Sequence, residues 1–184
     1  MTAMICMLRG VNVGGHHKLK MNVLRDICLS LKCATAQTLL QSGNVVFQTH
    51  SKDRSQLSKQ IASAIEKKLG FRPEVLLRTV PELRGVIGRN PFAKRSGIDP
   101  GKLLVAFLGS ELEAQSREEL LAMDIAPEEI HATGRELYIY FPNGQARPKI
   151  SWSRTEKILG PAFTCRNWNT VSKLLQLGEE LESS

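Results

Sequence analysis

Gln37-Thr38-Leu39-Leu40-Gln41-Ser42-Gly43-Asn44-Val45-Val46-Phe47-Gln48 reads as a β-hairpin, with strands Gln37 to Leu40 and Val45 to Gln48 around a turn supplied by Gly43 and Asn44. A second hairpin follows much later, in which Glu129 to Ala132 and Glu136 to Phe141 flank Thr133-Gly134-Arg135. The spacing around each hairpin decides the fold. Before the first lie a short apolar strand, Met4 to Leu8, a loop, Arg9 to Lys20, and a helix, Met21 to Leu31, with Val23, Leu24, Ile27, Cys28 and Leu31 on one face. After it come a helix from Ser55 to Leu69 closed by Gly70, a strand from Glu74 to Arg78, and a helix opened by the capping box Thr79-Val80-Pro81-Glu82.

The same order surrounds the second hairpin. Leu103 to Leu108 is a strand, and Ser110-Glu111-Leu112-Glu113 reads as another capping box, opening a helix to about Met123. Ile150 to Leu159 is helical and stops at Gly160-Pro161, Phe163 to Arg166 is a strand, and Asn167 or Asn169 caps a last helix presenting Val171, Leu174 and Leu175. Each half therefore reads strand, helix, hairpin, helix, strand, helix. This predicts an α+β fold of two ferredoxin-like βαββαβ subdomains, a duplication in which each copy carries an additional helix. The subdomains expected are residues 1–90 and 102–184, with the Gly-, Pro- and Ser-containing stretch 91–101 as linker.

A chain of 184 residues with 42% apolar and 23% charged residues has the composition of a folded protein. No apolar run reaches the roughly 18 to 20 residues of a membrane span, and the opening segment lacks the basic stretch of a signal peptide, so a cytoplasmic location is expected. Cys6, Cys28, Cys33 and Cys165 form neither a Cys-x-x-Cys pair nor a zinc-ligand pattern, which predicts reduced thiols and no metal. The net charge of +7 is uneven: residues 1–90 carry 14 Lys and Arg against 5 Asp and Glu, or +9, while residues 91–184 carry 11 against 13, or −2. A basic first half suits anionic partners.

In a βαββαβ unit a right-handed crossover makes the first two strands parallel, so the loop after strand one and the turn after strand two fall on one edge. Arg9, Gly10, Asn12, Gly14, Gly15, Lys18 and Lys20 should therefore meet Gln41, Ser42, Gly43 and Asn44. A Gly-rich loop leading into a helix, with basic residues, suits an anionic group, because the helix amides and dipole favour negative charge there. Neither the Gly-Lys-Ser/Thr ending of a P-loop nor a G-x-G-x-x-G spacing is present. His16 and His17, adjacent and without a third ligand, fit surface residues better than a zinc site. Arg166 and Asn167, where a strand delivers polar groups to a helix start, complete the candidate ligand contacts. Tyr138 and Tyr140 are expected on the open face of the second sheet, where a packing partner is a better match than stacked bases, since no aromatic pair accompanies them.

Leu8-Arg9-Gly10-Val11-Asn12-Val13-Gly14-Gly15, Lys20-Met21, Gln41-Ser42-Gly43-Asn44-Val45-Val46-Phe47, Asn90-Pro91-Phe92 and Arg166-Asn167-Trp168-Asn169-Thr170-Val171-Ser172-Lys173-Leu174 resemble the signature segments of the bacterial domain-of-unknown-function family numbered 1697. The resemblance spans almost the whole chain and implies a cytosolic αβ protein of two similar subdomains, with no activity attached. Where the family has a Gly-x-x-Arg-Ser-Lys-like stretch, this chain reads Gly144-Gln145-Ala146-Arg147-Pro148-Lys149; Pro148 brings neither a hydroxyl nor an amide to that place. The family also tends to have an Asn near His17. Three functions remain open on the sequence: binding of a phosphate-bearing small molecule or nucleic acid, which the residues favour; an enzyme for a small polar metabolite, with only His16 and His17 as general bases in these loops; and an assembly protein that buries a partner.

Overall fold

A computed structural model describes residues 1–183. In chain order the elements are β1 (Thr2–Leu8), α1 (Met21–Ser30), β2 (Ala34–Leu39), β3 (Asn44–Thr49), α2 (Arg54–Leu69), β4 (Val75–Thr79), α3 (Val80–Gly88), β5 (Leu103–Leu108), α4 (Ala114–Leu121), β6 (Glu129–Thr133), β7 (Glu136–Tyr140), α5 (Trp152–Leu159), β8 (Phe163–Asn167) and α6 (Trp168–Glu182). The order is that of two βαββαβ units, each followed by a helix.

Side-chain alternation along β1 sets both layers of the first half. Met4, Cys6 and Leu8 point to one face, Ala3, Ile5 and Met7 to the other, and all six are buried. A strand buried on both faces belongs inside its sheet. β1 pairs antiparallel with β3 on one side and with β4 on the other, giving the order β2-β3-β1-β4, with Ile5 opposite both Val46 and Arg78. Against the Met4 face pack Leu24, Ile27 and Cys28 of α1 and Leu57, Ile61 and Ile65 of α2. Each such side chain withdrawn from water contributes about 1.5–3 kcal/mol. α2 is fixed at both ends, by Asp53 Oδ1 accepting from Gln56 N at 2.8 Å and by the Gly70 N–H donating to Glu66 O at 2.8 Å.

The C-terminal part of α6 covers the Ile5 face. A Cβ on Gly178 would stand 2.7 Å from Val80 Cγ2 and 3.4 Å from Ile5 Cδ1, so the glycine is what lets this helix approach. Gln48 Nε2 donates to Leu181 O at 2.7 Å, and Arg84 pairs with Glu179 at 2.8 Å. Packing thus divides the chain into one unit of Met1–Arg84 with the residues from Lys173 onward, and another of Gly85–Ser172. The repeat boundaries at 90 and 102 follow sequence order, whereas these boundaries fall inside α3 and α6.

The second unit repeats the sheet as β6-β7-β5-β8, again fully antiparallel. Leu104, Ala106 and Leu108 of β5, with Leu137, Ile139 and Phe141, face α4 and α5. The opposite face, expected to be open, is not. Tyr138 is wholly buried with its hydroxyl donating to Val86 O at 2.7 Å, and Tyr140 lies against Phe92, ring centroids 5.5 Å apart. The end of α3 thus covers Tyr138, and the segment after it lies over Tyr140.

Local expectations fare unequally. Thr79 and Glu82 close a reciprocal capping box, with Thr79 N to Glu82 Oε2 at 2.8 Å and Glu82 N to Thr79 Oγ1 at 3.3 Å. Ser110 and Glu113 do not. Half-buried Leu112 packs on the core, and the helix starts only at Ala114, with Glu113 as an N-cap that makes no side-chain bond. Ser151 caps α5, and Asn167, rather than Asn169, caps α6 through Thr170 N at 2.9 Å.

Burial, and then the Glu136 charge, push the Tyr138 hydroxyl up to about 12, partly opposed by Arg89. An unfolded tyrosine ionises near about 10. The folded state therefore holds this proton more tightly, and its contribution to stability is complete below about pH 10 and lost as pH rises toward 12. Tyr138→Phe should lower stability at neutral pH by about 1 kcal/mol through loss of the bond to Val86. Urea unfolding followed from about pH 8 to pH 11 should show a smaller alkaline decline in the variant than in the parent; identical declines would exclude Tyr138 as a source.

Candidate functional site

β1 and β2 both pair antiparallel to β3 and so run parallel to each other, which brings the loop after β1 beside the turn after β2. Leu8 N donates to Gly43 O at 2.9 Å, and Arg9 N to Glu74 O at 3.0 Å. Asn12 joins the two segments. Its Nδ2 donates to Leu19 O at 2.8 Å and to Gln41 O at 2.7 Å, while its Oδ1 accepts from Leu19 N at 2.9 Å. The backbone of Asn12 is left-handed, φ 57°, a conformation asparagine tolerates better than most residues.

Gly43 is set by packing. At φ 75°, a Cβ there would lie 2.5 Å from Val11 Cγ2 and 2.9 Å from Leu8 Cβ. Asn44, fully buried, donates from Nδ2 to Leu39 O at 3.0 Å and to Ser42 Oγ at 2.8 Å, which shapes the turn from within. Of the expected contact residues, Asn12, Gly43 and Asn44 therefore hold the site's frame.

Along the same two segments Arg9 is half-buried, and Gly10, Gly14, Gly15, Lys18, Lys20, Gln41 and Ser42 are exposed. Lys20 is the N-cap of α1, where no side chain caps the helix and no acidic residue occupies the first turn. The first amides of α1 thus lack a side-chain partner, and Lys18 and Lys20 precede them in the same loop. His17 is drawn into the loop: its Nδ1 lies 3.0 Å from Gly10 O and its ring stacks on Phe71 at 4.6 Å. His16 is exposed.

Arg166 and Asn167 lie in the other unit, on β8. Arg166 is buried and its Nη1 donates to Thr164 Oγ1 at 2.8 Å and Cys165 O at 2.7 Å; Asn167 caps α6. Arg78 of β4 was not anticipated. It is 2% exposed, donates to Leu77 O at 3.1 Å, and precedes a capping residue, Thr79, as Arg166 precedes Asn167. Aligning Arg78-Thr79 with Arg166-Asn167 across the repeat is the signal that finds it.

The second unit reuses the frame without the loop. Leu108 N donates to Arg135 O at 2.9 Å and Gly109 N to Ala162 O at 2.7 Å, the counterparts of the Leu8 and Arg9 bonds, yet only a short connection follows β5. The stretch containing Pro148 is held elsewhere: the Glu128 carboxylate accepts from Lys149 N at 2.7 Å and Ile150 N at 2.8 Å. All four cysteines are thiols, and burial, with Cys6 and Cys33 nearby, pushes the Cys28 thiol well above its ordinary value. A thiol so raised is a poor nucleophile at neutral pH. Among the described residues there is no group of three or more His, Cys, Asp or Glu placed to hold a metal, and no helix is long and apolar enough to cross a membrane.

A family model described as a protein of unknown function, DUF1697, matches residues 1–138. The chain belongs to this family. No curated protein matches it. A solved structure of a conserved bacterial protein from Streptococcus pneumoniae is similar, with a TM-score of 0.73 and 19% identity over 97% of this chain and 99% of that one. At that identity the likeness establishes a shared fold. For a DUF1697 chain, then, the fold is secure and the loop edge must be read from its own geometry.

Asn12→Ala removes three hydrogen bonds and leaves alanine at a left-handed φ, so it should cost about 2–4 kcal/mol. Asn12→Gly, which accepts that φ, should cost less. Urea midpoints measure both, and equal losses would assign the whole effect to the carboxamide.

Proposed function

We propose that this protein binds an anionic ligand, a phosphate-bearing small molecule or nucleic acid, at the edge formed by residues 9–20 and 41–44. The observation that carries the reading is the start of α1: a helix terminus without a side-chain cap or an acid in its first turn, preceded by a glycine-rich loop with Arg9, Lys18 and Lys20. Uncapped amides and the dipole attract negative charge at such a terminus. The Asn12 bridge supports the reading, because a loop already ordered loses little entropy when a ligand arrives.

Arg9 and Lys20 supply charge, the loop amides supply directional donors, and Gln41 and Ser42 add neutral polar contacts from the facing turn. The excess of +9 in residues 1–90 favours approach of anions over a longer range. Neither histidine is needed for binding, and His17 is already engaged with Gly10 and Phe71.

Nucleotides, sugar phosphates, short RNA and inorganic phosphate should be screened by thermal shift against the parent, Arg9→Ala and Lys20→Ala. A ligand present at about 100 times its Kd raises stability by about 2.7 kcal/mol, a shift of several degrees. Both variants should reduce the shift, and a steep decline with salt would mark nucleic acid. A ligand that stabilises all three proteins equally would place its site elsewhere.

A further inference from the structure

The chain leaves α1 through a Schellman motif. With Leu31 as the C-cap, Lys32 N donates to Leu29 O at 3.0 Å and Cys33 N donates to Cys28 O at 3.1 Å. Lys32 takes the left-handed φ, 62°, that this ending requires. Such a motif commonly carries an apolar contact between the two side chains whose main chains make its longer bond. Here both residues are cysteines.

That bond limits how far apart the two can be. From standard bond lengths a carbonyl oxygen lies about 2.4 Å from its own Cα and an amide nitrogen about 1.5 Å from its own. A bond of 3.1 Å therefore keeps the Cα atoms of Cys28 and Cys33 within about 7 Å of each other. Disulfides span about 4.4–6.8 Å between Cα atoms. Both side chains are buried in the same cluster, the one packed on the Met4 face of the first sheet, so they enter one interior rather than diverge. Cys6 belongs to that cluster too, but its main chain is paired with Val45 and Leu77, and no backbone bond draws it to either cysteine. Cys165 belongs to the other unit.

The two thiols are not equivalent. Burial raises both, and at Cys28 the neighbouring Cys6 and Cys33 raise it further, whereas at Cys33 a hydrogen bond from Thr49 opposes the burial. Thr49 Oγ1 accepts from Ser51 N at 3.1 Å, which leaves its proton for the sulfur. Cys33 also lies beyond the helix, where fraying of the α1 end uncovers it first.

We propose that Cys28 and Cys33 form a modification site, a thiol pair that a hydroperoxide converts to an intramolecular disulfide closing the end of α1. The Cys33 thiolate attacks one oxygen of the hydroperoxide: an S–O bond forms, the O–O bond breaks, and the departing alkoxide takes up the proton Cys33 had released and leaves as an alcohol. Cys28 then attacks Cys33 Sγ: the S–S bond forms, the S–O bond breaks, and hydroxide leaves as water with the Cys28 proton. The two electrons lost by the sulfurs reduce the hydroperoxide. Cys28 acts on a sulfur already held beside it, so proximity offsets its weak nucleophilicity. The site is separate from the loop edge and does not depend on it.

Trypsin separates the four cysteines, placing Cys6 in residues 1–9, Cys28 in 26–32, Cys33 in 33–52 and Cys165 in 158–166. The whole chain, exposed to hydrogen peroxide, then alkylated and digested without reductant, should yield 26–32 joined to 33–52, and dithiothreitol should separate them. The oxidised protein should unfold several degrees above the reduced one, because the link restricts the unfolded chain. Cys28→Ser should leave Cys33 as a sulfenic acid that a cyclic 1,3-dione traps, and Cys33→Ser should leave Cys28 unmodified at the same exposure. Peptides joined through Cys6 or Cys165, a link between two chains, or four free thiols after prolonged exposure overturn the proposal. So does an oxidised form less stable than the reduced one, since the bond would then distort the motif rather than close it.

Discussion

A central strand buried on both faces governs this molecule. β1 and β5 are each flanked by two antiparallel partners, and each must have a layer of structure above and below. Helices supply one layer in both units. The second layer is what a bare βαββαβ unit lacks, and the additional helix and the segment after it answer that need: α6 residues from Lys173 onward over Ile5 in the first unit, and Val86 and Phe92 over the tyrosines in the second.

From the same arrangement follows the site. With β3 between them, β1 and β2 point the same way, and the segments that leave their ends must pass close together. Asn12 converts that proximity into a fixed structure by satisfying main-chain groups on both segments, and Gly43 permits the contact because no side chain intervenes. The second unit keeps the equivalent main-chain bonds at Leu108 and Gly109 but not the long loop. Duplication has preserved the scaffold and left the two copies free to present different edges, a long polar loop in one and a short connection in the other.

The element order, the duplication and the meeting of the two loops were legible because they rest on local signals: hydrophobic period, turn residues and the handedness of crossovers. Three features were not. The burial of Tyr138 and Tyr140 depends on where the end of α3 and the segment after it lie, which no local pattern states. The pattern from Ser110 to Glu113 fits a capping box, but the pull of Leu112 toward the core outweighs a cap worth about 1 kcal/mol. The bonds of Asn12 to Leu19 and Gln41, and of Asn44 to Leu39 and Ser42, depend on how the loop and the turn meet, which neither residue type states by itself.

The most direct test of the account is an amide chemical-shift titration of the protein with inorganic phosphate and then with a nucleoside monophosphate. Perturbations confined to residues 9–23 and 41–44, and suppressed by added salt, are predicted. Perturbations centred outside those segments, or none at saturating ligand, would contradict the claim that this edge is an anion site.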